Sequence, residues 1–124
     1  MPKYHSRTEL AVVTELKNCG EKFRTQGKHL PGTPDIYFAK EKIVVFVHGC
    51  YWHRHADCRG RRTPRKNLLT WIERFNMQVL IDQKNYKKLR NRGWWIYTAW
   101  ECEINQNVTE VVSDLLRYLT LRRT

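Results

Sequence analysis

Pro34-Asp35 and the run His48-Gly49-Cys50-Tyr51-Trp52-His53 put a carboxylate and two imidazoles where two short strands should end. Those groups can assist phosphodiester hydrolysis. Mg²⁺ takes oxygen ligands in octahedral geometry and keeps several waters, so Asp35, one main-chain carbonyl such as that of Val47, and a substrate phosphate suffice to hold it. Imidazole titrates near neutral pH, so His48 or His53 can take a proton from attacking water or give one to a leaving oxygen. Two other readings stand beside these. Taken alone, Pro-Asp is foremost a turn signal, and with His55 nearby the histidines are also candidates for zinc.

Cys50-x4-His55-x2-Cys58 supplies three soft ligands, and Cys102 returns from the far strand end. Four such ligands with none spare form the closed tetrahedron of a structural zinc, which would tie a long loop to a sheet. Met1-Pro2-Lys3 opens no apolar signal-peptide core, so the expected location is cytoplasmic. Thiols stay reduced there, which favours metal over disulfides and leaves unliganded thiols as the alternative. Cys19, at the end of the first helix, reads as an inert core thiol.

The elements that must position these groups follow from periodicity. Ser6-Arg7-Thr8-Glu9 is a capping box opening a helix that ends near Gly20, with Leu10, Val13 and Leu16 on its apolar side. Strands are expected at Lys22–Thr25, Asp35–Ala39 and Ile43–His48. The last is apolar through Ile43-Val44-Val45-Phe46-Val47, as a central strand covered on both faces would be. A second helix is expected at about Leu68–Asn91, a strand at Trp94–Trp100, and a closing helix from about Asn107. The order α-β-β-β-α-β-α gives an α/β fold, a mixed sheet flanked by helices. At 124 residues the chain fits one domain, 1–124.

Within the second helix Ile72, Phe75, Val79, Asp82, Tyr86 and Leu89 share one stripe, so Asp82 points inward. A carboxylate among apolar groups needs a partner; either it orients a catalytic histidine or it forms a buried ion pair. The stretch Gly49–Lys66 is long and irregular and carries Arg54, Arg59, Arg61, Arg62, Arg65 and Lys66 behind Tyr51-Trp52. Basic groups neutralise phosphates while aromatic faces stack on bases or wedge between them. The plainer reading is a solvated charged face with Trp52 in the core. Their adjacency to the histidines favours a DNA-facing edge, and over the whole chain 23 Lys and Arg against 12 Asp and Glu leave +11, which with a pI near 9.8 suits a polyanion such as nucleic acid. No apolar run is long enough to suggest a membrane.

Pro34-Asp35, Phe46-Val47-His48-Gly49-Cys50-Tyr51-Trp52-His53 and Trp100-Glu101-Cys102 together resemble the very-short-patch repair (Vsr) endonucleases. The likeness runs from about Thr8 to Cys102 and includes Leu30-Pro31-Gly32-Thr33-Pro34-Asp35 and Gly93-Trp94. It implies the restriction-endonuclease-like fold and a Mg²⁺-dependent enzyme with a structural zinc, which nicks double-stranded DNA 5′ to the thymine of a T·G mismatch. By that resemblance Asp35 binds Mg²⁺, His53 is the general base, His48 assists at the phosphate, and Glu9 and Asp82 match the family's acidic positions. Cys50, His55, Cys58 and Cys102 would hold zinc, and Tyr51 and Trp52 would enter the major groove beside the mismatch. The protein is expected to act as a monomer, with mismatch-repair proteins as candidate partners. Vsr proteins carry a longer N-terminal segment that grips the minor groove, whereas eight residues precede Glu9 here. Two rivals therefore stay open: a Vsr-like homing, restriction or nicking endonuclease reading an intact sequence, and a non-catalytic zinc-dependent DNA-binding module.

Overall fold

A computed structural model describes residues 7–49 and 66–123. In chain order it contains α1 (Arg7–Asn18), β1 (Arg24–Thr25), β2 (Ile36–Phe38), β3 (Ile43–His48), α2 (Leu68–Asn91), β4 (Trp95–Trp100) and α3 (Glu101–Arg123). The expected order α-β-β-β-α-β-α is present. β1 and β2 are shorter than the expected Lys22–Thr25 and Asp35–Ala39, because β1 pairs with β2 only at Arg24↔Tyr37 and Thr25↔Ile36.

The sheet order is β1-β2-β3-β4. β1, β2 and β3 run antiparallel to their neighbours, whereas β3 and β4 are parallel from Ile43↔Trp95 to His48↔Trp100. A parallel pair cannot be joined by a tight turn, and α2 lies within the crossover between these two strands. β3 is therefore internal, and side-chain alternation sends its residues to two separate cores. Ile43 and Val45 join Val12, Val13 and Leu16 of α1 and Val112, Leu115 and Leu119 of α3. Val44 and Phe46 join Leu30 and Leu89 on the side of α2. A strand buried on both faces has no polar side to show, which explains its unbroken apolar run.

Helix ends are set by local chemistry. Gly93, at φ +86°, ends α2: its N–H donates to the Arg90 carbonyl while the Trp94 N–H donates to that of Leu89. This Schellman arrangement needs a left-handed residue, a conformation glycine adopts without a Cβ clash. α1 closes by the same pair of bonds, Gly20 N–H to Lys17 and Glu21 N–H to Leu16. The helical course of α3 breaks at Asn107, whose φ of −163° and ψ of 93° are extended. Its Oδ1 accepts the Glu110 N–H at 3.1 Å as an N-cap does, so the closing helix expected from Asn107 is there, preceded by a further turn from Glu101.

Some positions differ from expectation. Leu10 is exposed and Glu9 is buried in its place, because α1 presents Val12, Val13 and Leu16 to the sheet. Cys19 is exposed, not a core thiol; it lies past the last helical residue, Asn18, as the chain turns toward β1. Ile72 is also exposed, and α2 buries only Phe75 and Leu89, because the core beneath it is small. No helix among the described residues is long and apolar enough to cross a membrane.

α3 is locked back onto the sheet by its end. Arg122 Nε donates to the Glu41 carbonyl at 2.8 Å, Nη2 donates to that of Gly93 at 2.9 Å, and the guanidinium lies 4.5 Å from the Trp95 ring centroid. Arg122→Ala is expected to destabilise the domain by about 1–2 kcal/mol, measured by urea denaturation, since two charged hydrogen bonds and a cation–π contact go together.

Candidate active site

A type II turn delivers Asp35. The Thr33 N–H donates to the Leu30 carbonyl at 3.1 Å, with Pro31 and Gly32 at the centre and Gly32 at φ +78°. A Cβ on Gly32 would come within 3.1 Å of Phe46 and 3.2 Å of Asn85, so the turn also needs glycine to nest between β3 and α2. Pro34 is buried next to it, and Asp35 follows immediately before β2.

The Asp35 carboxylate is held from its own sheet. Its N–H donates to the Val45 carbonyl at 3.1 Å, and its Oδ2 accepts the Val47 N–H at 2.7 Å. A strand residue's N–H and C=O point the same way, so the Val47 carbonyl faces the side on which Asp35 lies. One charged and one neutral oxygen at a strand end suit a hard cation that keeps most of its waters. Among the described residues no group of three or more His, Cys, Asp or Glu gathers around a metal position, so a cation here would rely on that sparse pair.

His48 ends β3 and is buried. Its ring stacks on Phe46 at 5.6 Å and lies 5.4 Å from the Trp100 ring. Its Nε2 is 2.5 Å from the Tyr86 hydroxyl. Burial pushes the Tyr86 phenol up to about 12; a hydrogen bond from Thr98 pulls the other way and the charge of Asp82 adds to the rise. The phenol therefore keeps its proton through the physiological range.

A cleft of about 240 Å³ gathers these groups, with Thr33, Asp35, Val47 and His48 on one wall and Gln78, Asp82, Asn85 and Tyr86 of α2 on the other. Asp82 does face inward, and its Oδ1 accepts a 3.0 Å bond from Gln78 Nε2. Three candidates far apart in sequence, Asp35, His48 and Asp82, thus share one small space. Glu9 does not line it. Gln26 Nε2 donates to Glu9 Oε1 at 2.7 Å, and the Gln26 backbone N–H donates to the Asp35 carbonyl at 3.0 Å, so Glu9 reaches Asp35 through one intervening residue. His53, the DNA candidates Tyr51, Trp52, Arg54, Arg59, Arg61 and Arg62, and the zinc candidates Cys50, His55 and Cys58 lie outside the described residues. Cys102, the fourth zinc candidate, is half-buried in the first turn of α3. It stands two residues past the last β3–β4 pair, His48↔Trp100, at the sheet end where the chain leaves toward Cys50.

The family model of the DNA mismatch endonuclease Vsr matches residues 1–59, a span that includes Asp35, His48 and His53. V.XorIIP, a type II nicking enzyme of Xanthomonas oryzae pv. oryzae, is 39% identical over 101 residues, which are 82% of this chain and 74% of that protein. The chain belongs to the Vsr endonuclease family. The Vsr relatives include V.NmeAIP, a type II nicking enzyme of Neisseria meningitidis, 36% identical over 107 residues covering 84% of this chain and 76% of its own. Another is the DNA mismatch endonuclease Vsr of Escherichia coli, 32% identical over 96 residues, 77% of this chain and 61% of that protein. As a Vsr family member the protein is a DNA endonuclease.

Larger hollows lie elsewhere, but their chemistry suits a Vsr enzyme less well. One of about 550 Å³ between β4 and α3 is lined by Glu103, Glu110 and Asp114, charges that repel a phosphate backbone. In it, burial and a hydrogen bond to Asp114 push the Tyr97 hydroxyl above its ordinary range. Another of about 600 Å³ is floored by Trp94, Trp95 and Leu121 and holds neither a carboxylate nor a histidine. Sequence reasoning missed the part of Tyr86 at the Vsr cleft, having placed it only on an apolar stripe. Its hydroxyl, one helical turn beyond Asp82, was the available signal.

Proposed function

We propose that this Vsr-family endonuclease hydrolyses one phosphodiester bond of double-stranded DNA at a T·G mismatch, acting as a monomer with Mg²⁺. The observation that supports this reading is that Asp35, His48 and Asp82 line one cleft with the Val47 carbonyl beside the carboxylate. Asp35 and Val47 would hold the cation, which when bound supplies positive charge to the scissile phosphate. His53 takes the proton of the attacking water, and His48 meets the phosphate from the floor of the cleft. Asp82 keeps the catalytic imidazole oriented, and Glu9 steadies Asp35 through Gln26. Tyr51, Trp52, Arg54, Arg59, Arg61 and Arg62 hold the duplex. Cys50, His55, Cys58 and Cys102 have the soft donors of a structural zinc, which would tie the loop to the sheet end carrying Cys102.

A second reading is favoured by the names of V.XorIIP and V.NmeAIP, which are type II nicking enzymes: the target is then an intact sequence. End-mapping of products on a T·G duplex and its T·A counterpart, with Mg²⁺, separates the two. Mismatch-directed nicking is expected to exceed the matched rate by about tenfold or more, the scale of 1–3 kcal/mol that one altered base pair carries. Equal rates with a single mapped site would move the target to intact DNA. Absence of any Mg²⁺-dependent strand break would remove the catalytic assignment of the cleft.

A further inference from the structure

Among the residues of the cleft, His48 is gripped from three elements at once. It ends β3, its Nε2 meets the Tyr86 hydroxyl of α2, and its ring lies 5.4 Å from that of Trp100 of β4. We propose that Tyr86 is a positioning residue that fixes the ring angle and tautomer of His48 by donating its phenolic proton to Nε2. This rests on the reading of the cleft as the site of strand cleavage and adds a residue to it.

The geometry carries the assignment. Phe46↔Thr98 and His48↔Trp100 are parallel partners, so Thr98 and His48 project from the same face of the sheet, toward α2. Tyr86 lies against that face, its ring 5.5 Å from Phe46 and 6.2 Å from His48. Phe46 stacks on one face of the imidazole and the Trp100 ring lies 5.4 Å away, contacts that set the plane of the ring, while a hydrogen bond to a ring nitrogen distinguishes its two flipped orientations. Tyr86 supplies such a bond at Nε2. The phenol retains its proton and its oxygen lies against Nε2; given to Nε2, that proton makes Nε2 the acceptor and places the imidazole proton on Nδ1. A tyrosine is suited to this task because its hydroxyl sits at the end of a rigid ring with few rotamers.

The test uses the full-length protein with Tyr86→Phe, which removes one oxygen and keeps the packing. Nitrogen NMR of the His48 ring, at a pH where imidazole is neutral, is expected to show a single Nδ1–H tautomer in the parent and a mixture in Tyr86→Phe. In single-turnover nicking, Tyr86→Phe should lower the rate by about tenfold, the low end of what losing an outer hydrogen-bond partner costs a site, with duplex affinity unchanged. A His48 tautomer that is the same in parent and Tyr86→Phe would overturn the proposal. If the parent does not nick DNA, the function proposed above fails, while the tautomer measurement still decides the role of Tyr86.

Discussion

Asp35→Asn is expected to lower Mg²⁺-dependent nicking by roughly 10²–10³-fold while leaving the fold intact, the scale lost when one preorganised charge is taken from a reacting centre. The prediction separates two duties of the same carboxylate. Its Oδ2 accepts the Val47 N–H at 2.7 Å, and an asparagine oxygen can do that equally well. Only the carboxylate can balance a divalent cation beside the Val47 carbonyl. Asp35→Ala forfeits both duties, so it should lose activity to a similar extent and also about 1–3 kcal/mol of stability, the cost of a donor left without its acceptor. Conversion of supercoiled plasmid to open circles across a Mg²⁺ titration, with urea denaturation of the same samples, checks both. An Asp35→Asn protein that nicks at the parental rate would show that the cation is held elsewhere.

His48→Gln is expected to reduce the cleavage step by about 10²–10⁴-fold, the range attributed to a proton-transferring side chain. Glutamine is the informative replacement, because its amide oxygen can reach the position of Nε2 and accept the Tyr86 proton. The imidazole's protonation chemistry is then lost without opening the buried space between Phe46 and Trp100. Duplex affinity, measured by fluorescence anisotropy, should stay near the parental value while the single-turnover rate falls. A loss of affinity with an unchanged rate would make His48 a binding residue. His53→Ala should fall in the same range, and the double variant little further, if both imidazoles serve one transition state.

Much of the architecture was readable because its signals are local. The unbroken apolar run of β3 announced a strand covered twice, and the cores on its two faces bear this out. Gly20 marked the end of the first helix by a conformation that other residues adopt at a cost. The stripe on α2 pointed Asp82 inward, and the cleft contains it. What escaped depends on distance in space. Glu9 had a sufficient local explanation in the capping box, and nothing in the spacing joined it to Gln26. Leu10 and Ile72 follow the helical repeat yet stand exposed, because the repeat describes a face and not how far the neighbouring layer extends. Cys19 was assigned to the core from residue type alone, although it lies beyond the last helical residue.

The two walls of the cleft differ in how readily they breathe. β3 has a neighbour along each edge and side chains packed on both sides, so its amides should exchange with solvent only when the whole domain opens. α2 has just Phe75 and Leu89 buried along its length, which places it among the segments that loosen first. Asp35 and the Val47 carbonyl consequently keep their registration while Asp82 and Tyr86 ride on the yielding side. A stiff, wide duplex entering the cleft would thus meet a fixed oxygen pair on one wall and, on the other, a helix held mainly by Phe75, Leu89 and the Tyr86–His48 bond.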